Sequence, residues 1–178
     1  MAVACIFVSS ASAGTFKNIA VDGSFGDWAG VPLLETDPQD SPTTADYGDI
    51  YLANDDDYLY LRFTLYVAAD PFTSIENIFI DADNNPGTGY ASGALGSVML
   101  IQGGAGYQER DGAFNEGDIN GLDWQASPAG AGTQFEVRIS RAATYASDGT
   151  PVFSGDTIAL VLEAEDASFT ALEWAPSI

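Results

Sequence analysis

The sequence predicts an all-β fold, a two-sheet antiparallel β-sandwich with a jelly-roll-like topology. Two observations support this prediction. Glycine and proline interrupt the chain at short intervals, and between them the apolar residues recur at every second position rather than every third or fourth. Such alternation places one face of each strand in a core, and about nine or ten segments of this kind are enough for two packed sheets. A length of 178 residues predicts one domain, over residues 14–178.

The first elements follow this alternation. Residues 16–21 are predicted to form a strand that the Asp22-Gly23 pair ends, and residues 32–44, rich in Pro, Asp and Thr, form a long irregular connection. The clearest strand pair is 49–53 and 58–66, with residues 54–57 as the hairpin turn. On the second strand the inward residues are predicted to be Leu59, Leu61, Phe63 and Leu65, and the outward residues Tyr58, Tyr60, Arg62, Thr64 and Tyr66.

The remaining strands are predicted from the same period. They are residues 77–81, 95–102, 106–109, 122–126, 134–140, 157–165 and 169–174. The only helical feature expected is a turn at residues 140–145.

The charge of the chain restricts its partners. Five basic residues oppose 26 acidic ones, histidine is absent, and the net charge is -21. Nucleic acids and anionic membranes are therefore not expected as partners, because both carry the same sign of charge. Without histidine there is no Ser-His-Asp or Cys-His nucleophile and no imidazole metal site. No carboxylate pair is distinguished by its local context as the acid and base of a hydrolase, so the chain is not expected to be an enzyme.

Calcium is the cofactor that the sequence predicts, in the loop from Asp81 to Tyr90 that follows an apolar run. Calcium takes six to eight oxygen ligands in a flexible cage. The expected ligands are the side chains of Asp81, Asp83 and Asn85 and backbone oxygens near Gly87 and Gly89. The loop is not an EF-hand, because its sixth residue is proline and its twelfth is serine. The alternative is a hairpin turn without an ion, since Asp and Asn favour turns for their own backbone hydrogen bonds.

The first 13 residues are interpreted as a signal peptide, truncated or removed. A short apolar run, Ala2 to Val8, precedes Ala11-Ser12-Ala13, the small-residue pattern of a signal peptidase site. If the segment is retained, the alternative is a buried N-terminal strand. The sequence thus predicts a secreted, extracellular or cell-surface protein.

Four segments together resemble family 9-like carbohydrate-binding modules, which are related to the DOMON-like sandwiches. They are Val21 to Trp28, Asp49 to Phe63, Ile78 to Asp83 and Phe135 to Ile139, and they occur in the order seen in that family. The resemblance implies a calcium-bearing, non-catalytic β-sandwich that bacteria secrete and that is often attached to a polysaccharide-degrading enzyme. Trp28 is expected in the core or as a cap rather than in a ligand site.

Sugar binding requires a flat aromatic face for a pyranose ring and planar polar groups for its hydroxyls. The candidates are Tyr58, Tyr60 and Arg62 on the outward face of their strand, together with Trp124 and Trp174. The alternative is that loops cover the tyrosine stripe, because tyrosine is favoured on any half-exposed strand.

The predicted function is binding of a polysaccharide or cell-surface glycan. The alternative is an extracellular structural subunit of a filament, matrix or surface coat, stabilised by calcium. Unpaired sheet edges would allow such a subunit to associate with itself.

Overall fold

We describe the protein from a computed structural model, which describes residues 14–41, 45–72, 76–109, 117–166, 168–175 and 177–178. The proposed signal peptide lies outside these residues. The strands are β1 (Thr15–Phe16), β2 (Glu35–Thr36), β3 (Tyr47–Asn54), β4 (Tyr58–Ala69), β5 (Glu76–Asp81), β6 (Tyr90–Ser92), β7 (Leu95–Ser97), β8 (Met99–Gln102), β9 (Ala105–Gln108), β10 (Gly117–Asn120), β11 (Gln125–Ser127), β12 (Gly132–Ser140), β13 (Thr144–Tyr145), β14 (Ala159–Glu165) and β15 (Ala171–Trp174).

The strands form two large sheets, which confirms the predicted sandwich. One sheet has six strands in the order β1-β3-β4-β12-β11, with β2 also paired to β3. The other has seven, in the order β13-β10-β9-β8-β5-β14-β15, and β6 and β7 form a separate hairpin. Among the described strands, the ladder pairs are antiparallel except for the short parallel pair of β1 and β3.

The connections between the sheets explain the jelly-roll character. Strands β4 and β5 follow each other in the chain but lie in opposite sheets. Strands β12 and β14 repeat this crossing, β12 pairing with β4 and β14 with β5. The pair β4 and β12 therefore lies in one sheet and the pair β5 and β14 in the other.

The inward faces of the sheets form one core. On β4 the predicted alternation is correct, since Leu59, Leu61, Phe63 and Leu65 are buried and belong to the main cluster. Phe135 from β12 stacks on Phe63 at 5.6 Å between ring centroids. The seven-stranded sheet contributes Ile80 and Leu160 to the same cluster. Period-two patterning thus predicts which residues meet in the core.

The predicted first strand is wrong over most of its length. Only Thr15–Phe16 forms a strand, and the chain from Lys17 onward crosses the outer face of the six-stranded sheet as irregular backbone. Ile19 and Val21 are buried there with Trp28, which ends a 3-10 turn at Phe25–Trp28. The alternating pattern of this segment reflects packing against a sheet face, not pairing at a sheet edge.

A buried carboxylate holds this covering segment in place. Glu136, on β12, is fully buried and accepts the backbone N–H groups of Asp22 at 2.9 Å and Gly23 at 2.7 Å. Its second oxygen accepts the Trp28 indole N–H at 2.8 Å. The Asp-Gly…Trp motif therefore caps the sheet face, as predicted for Trp28.

Aromatic rings also lie on the outer face of the seven-stranded sheet. Phe79, on β5, stacks on Tyr90 at 6.0 Å and on Trp174 at 5.8 Å. Tyr90 belongs to the β6–β7 hairpin and Trp174 to the edge strand β15. Among the described residues there is no helix long and apolar enough to cross a membrane.

Candidate functional site

The tyrosine stripe on β4 is only partly accessible. Tyr60 is 2% exposed, because the covering segment packs on it together with Trp28 and Ala53. Its hydroxyl donates to Asp55 at 2.7 Å and accepts from the Asn18 amide at 3.2 Å. Burial, and then the neighbouring Asp55 carboxylate, raise the pKa of Tyr60. Tyr60 therefore holds the covering layer to the sheet and presents no ring face to a ligand.

Asp55 organises the hairpin tip beside Tyr60. It accepts the backbone N–H groups of Asp57 at 2.9 Å and Tyr58 at 2.8 Å, as well as the Asn18 amide at 2.6 Å. Partial burial raises the pKa of Asp55, but these hydrogen bonds and that from Tyr60 prevail and lower it to about 2. The carboxylate is thus a fixed anion that shapes the turn.

Arg62 is also engaged within the protein. Its guanidinium carbon lies 4.7 Å from the ring centroid of Tyr51 and 5.2 Å from that of Phe25. The same group donates to Gln134 at 2.9 Å. These contacts tie the covering segment to β3, β4 and β12.

Tyr58 is the half-exposed member of the stripe. The Arg138 guanidinium carbon lies 4.6 Å from the Tyr58 ring centroid. The Tyr58 hydroxyl donates to Asp123 at 2.5 Å, and Arg138 forms an ion pair with the same carboxylate at 3.4 Å. The hydrogen bond to Asp123 raises the pKa of Tyr58, and the bond from Tyr58 lowers the pKa of Asp123.

An open groove of about 350 Å³ runs beside Tyr58. Its walls come from the β3–β4 hairpin, the end of β12 and a later loop, and are lined by Asp56, Asp57, Tyr58, Ser140, Arg141, Ala142 and Phe153. Arg141 connects two of these walls, because its guanidinium donates to the Asp55 carbonyl at 2.5 Å and its backbone N–H to the Asp57 carbonyl at 2.8 Å. Sequence analysis identified Tyr58 but not its partners, since residues 56–58, 140–142 and 153 are far apart in the chain.

The two candidate tryptophans lie in different places. Trp124 is half-buried and packs edge-on against Phe72 at 5.8 Å, beside Gly104. Trp174 is 39% exposed and stacks on the Phe79 ring. Neither lines the groove beside Tyr58, so the structure does not bring the predicted sugar-binding residues together.

The Asp81 loop folds through its own hydrogen bonds. Asp81 is buried and accepts the N–H groups of Asn85 at 3.0 Å and Gly96 at 3.3 Å. Asp83 accepts the Asn85 N–H at 3.1 Å and the Thr88 hydroxyl at 2.9 Å. Burial raises the pKa of Asp81; the two backbone bonds oppose this, and the nearby Asp83 carboxylate adds to it. The two carboxylates are thus neighbours of the type that a hard cation prefers, in a loop already closed by its backbone.

Two glycines make this loop possible. A Cβ at Gly96 would lie 2.1 Å from the Thr88 carbonyl, and one at Gly89 2.2 Å from the Ser97 carbonyl. Gly89 also has φ +69°, in the left-handed region. Close backbone approach is therefore the role of Gly89. The Asn85 side chain accepts the Gly87 N–H at 3.0 Å.

A second group of carboxylates was not predicted. Asp37 and Asp40 follow β2, Asp46 precedes β3, and Glu173 lies in β15. One oxygen from each lies within 4.8 Å of the others. The separation of more than 120 positions between the first three and Glu173 conceals the group in the sequence.

Comparisons with known proteins give a structural likeness only. No protein-family model matches the chain, and no curated protein matches it. Two structures of a family 9 carbohydrate-binding module from Caldicellulosiruptor kristjanssonii are similar, one in complex with cellotriose and one with glucose. They are 15% and 16% identical, each match covers 91% of this chain and 80% or 82% of theirs, and the TM-score is 0.47 for both.

At this level of identity and overlap, the likeness carries no ligand or site from those proteins to this one. The resemblance to family 9-like carbohydrate-binding modules rests on the four sequence segments described above.

Proposed function

We propose that this protein is a non-catalytic, calcium-binding carbohydrate-binding domain that acts outside the cell. The observation that supports carbohydrate binding most directly is the groove beside Tyr58. Its volume, about 350 Å³, is within the range of small-molecule sites. It is open to solvent, so a saccharide can reach it from the surface.

The side chains of the groove suit a neutral, hydroxyl-rich ligand. Tyr58 and Phe153 are half-exposed aromatic walls for the apolar face of a pyranose ring. Arg141 supplies N–H donors, and the exposed carboxylates of Asp56 and Asp57 accept hydrogen bonds from sugar hydroxyls. The hydrogen bond and ion pair at Asp123 hold Tyr58 and Arg138 in fixed positions, which lowers the entropic cost of binding.

The first test is retention of purified residues 14–178 on a panel of insoluble polysaccharides that includes cellulose, followed by titration with soluble oligosaccharides of any polymer retained. Tyr58→Ala is expected to weaken binding about tenfold, because truncating a central aromatic contact costs over about 1 kcal/mol. Phe169→Ala, which removes an exposed aromatic ring outside the groove, is the matched control and is expected to bind as the parent does.

Trp174→Ala distinguishes the two aromatic surfaces. Loss of binding in this variant, with Tyr58→Ala unchanged, would move the site to the outer face of the seven-stranded sheet. If the protein is retained on no polysaccharide and forms calcium-dependent assemblies in sedimentation, it would instead be a structural subunit. The exposed Leu172 and Trp174 on edge strand β15 are the observation that favours that alternative.

Calcium binding is proposed at the Asp81 loop, where Asp81, Asp83 and the Asn85 amide provide oxygens of the correct type. Replacement of Asp83 by Asn removes one charge while retaining an oxygen that can accept the Thr88 hydroxyl. We expect this variant to lose one equivalent of calcium in calorimetric titration with little change in circular dichroism, because the loop is closed by its own hydrogen bonds. An unchanged stoichiometry would identify the loop as a turn without an ion.

A further inference from the structure

The group of Asp37, Asp40, Asp46 and Glu173 lies where the two sheets meet at one edge of the sandwich. The three aspartates flank β2 and β3 of the six-stranded sheet, and Glu173 is on β15, the edge strand of the other sheet. Asp37, Asp46 and Glu173 are 4%, 3% and 6% exposed, whereas Asp40 is exposed. Three carboxylates are thus removed from water in one place.

The basic side chains that the structure describes do not compensate this charge. Lys17 donates to the Ala29 carbonyl, Arg62 to Gln134, Arg138 to Asp123, and Arg141 to the Asp55 carbonyl. Burial, followed by Glu173, Asp40 and Asp46, raises the pKa of Asp37 to about 8. The groups that act on Asp37 are all acids. Buried charges are ordinarily paired or bound to metal, because an unpaired one is costly.

Asp37 gives an independent indication of a ligand. Its backbone is satisfied, since its N–H donates to the Gly48 carbonyl at 3.1 Å and its carbonyl accepts the Tyr66 hydroxyl at 2.9 Å. Among the described residues, its side-chain Oδ2 is buried and has no hydrogen-bond donor as a partner. The carboxylate faces that of Glu173. A buried acceptor without a donor among the described residues, aimed at three further carboxylates, is the arrangement expected at a cation site.

We propose that these four carboxylates bind one calcium ion, which links the two sheets. Two oxygens that bind the same calcium ion at about 2.3–2.6 Å are at most about 5 Å apart, and the four oxygens here lie within 4.8 Å of one another. The spacing is therefore compatible with one calcium ion, and four carboxylates supply the hard oxygen ligands that calcium prefers. The site is separate from the groove and from the Asp81 loop, and does not depend on a glycan ligand.

The role of this ion is structural. Asp37, Asp40 and Asp46 hold the connection between β2 and β3, and Glu173 holds the last strand. Removal of calcium leaves up to four carboxylates in mutual repulsion at this edge, so the connection and β15 are expected to separate first. Metal binding and folding are then coupled.

The test is thermal unfolding and calcium titration of the full chain, after chelation and after stepwise return of calcium. We expect calcium to raise the Tm of the parent protein, and expect the Asp37→Asn/Glu173→Gln double variant to lose most of this increase. Asp118→Asn/Asp156→Asn, which changes two exposed carboxylates outside both proposed calcium sites to amides, is the matched control and retains the increase. Terbium provides a direct readout, because Tyr66 contacts Asp37 and Tyr47 adjoins Asp46. Its sensitised luminescence is expected to be weaker in the double variant than in the parent, because one of the two proposed sites is lost.

Two results would overturn the proposal. One is a full calcium-dependent Tm increase in the double variant. The other is a parent protein whose Tm does not change with calcium, together with a double variant that is more stable than the parent. That result would mean that protons shared among the carboxylates, without a metal ion, stabilise the group. If the double variant does not fold, Asp40→Asn replaces it. This carboxylate is exposed, so its loss is expected to leave the fold intact and to weaken calcium binding at this site about tenfold, since ligand charge sets affinity. Unchanged affinity in Asp40→Asn would also contradict the site.

Discussion

At the scale of single residues, Glu136 shows how one buried side chain sets the position of a whole segment. Its two oxygens accept three N–H donors, two from the backbone at Asp22 and Gly23 and one from the Trp28 indole. Charge-assisted bonds of this kind are about twice as strong as neutral ones. A carboxylate is the only side chain of this size that is acceptor on both oxygens, so the position requires glutamate.

Glu136→Gln is expected to lower the free energy of unfolding by about 2 kcal/mol, because its amide must turn an N–H group toward one of these donors. The measurement is urea unfolding. Trp28→Phe removes the indole donor, so we expect Glu136→Gln to cost clearly less when it is made in the Trp28→Phe background. Strictly additive effects of the two substitutions would show that the indole bond does not link the segment to the sheet.

Individual residues also mark the limit of sequence-based prediction. The alternation on β4 correctly predicts that Tyr60 lies on the face opposite Leu61, but it contains no information about what covers that face. The cover arises from Glu136, 113 and 114 positions away from the two backbone amides that it binds. Tyr58, two residues earlier on the same face, is only partly buried against this cover.

At the scale of elements, the outer face of the seven-stranded sheet carries a row of hydrogen bonds across three strands. Gln102 on β8 donates to Asn77 on β5 at 2.9 Å, and Asn77 donates to Glu163 on β14 at 2.7 Å. Register places these residues directly opposite one another. Burial raises the pKa of Glu163 to about 7; the Asn77 bond opposes this rise, and Glu165 on the same strand adds to it.

This elevated pKa predicts a pH dependence of stability. The native protein holds the Glu163 proton more tightly than the unfolded chain, whose value is near 4.5. The stability that this group contributes is therefore complete below about pH 4.5 and is lost as the pH rises through about 7. We expect Glu163→Gln to reduce the fall in urea midpoint between pH 5 and pH 7.5, measured with chelator present.

Asp156→Asn, a change to an exposed carboxylate outside β14, is the control for this measurement and is expected to keep the pH dependence of the parent. A pH profile of Glu163→Gln identical to that of the parent would mean that Glu163 is ionised in the native protein throughout this range.

Predictions of elements succeed where the ladder is regular and fail where a strand is interrupted. Residues 95–102 alternate as one strand, yet they form β7 and β8, separated at Val98. The Val98 N–H donates to the Ile80 carbonyl, and the Val98 carbonyl accepts the Glu109 N–H. Val98 therefore bonds to both neighbouring segments at the point where the chain leaves the β6–β7 hairpin and enters β8. Both strands are buried, and hydrophobic period alone does not reveal the break.

At the scale of the whole molecule, acidity is the dominant property. The net charge of -21 and the two-sheet class follow from composition and period. The sites do not, because each is assembled across the sandwich: the groove joins residues 56–58 to 140–142, and the acidic group joins residues 37–46 to 173. A residue pattern reports neighbours along the chain, whereas these sites depend on neighbours across it.

The bond between Asp22 and Glu136 has a consequence for the order of events during synthesis. The two residues are 114 positions apart, so at roughly 5–20 residues per second the ribosome needs roughly 6–23 seconds to make the second after the first. During that interval Ile19, Val21 and Trp28 can pack on Ala53 of β3 and Tyr60 of β4, but the Glu136 carboxylate that binds the segment has not been made. The covering segment is thus fixed in its final position only after β12 has been synthesised.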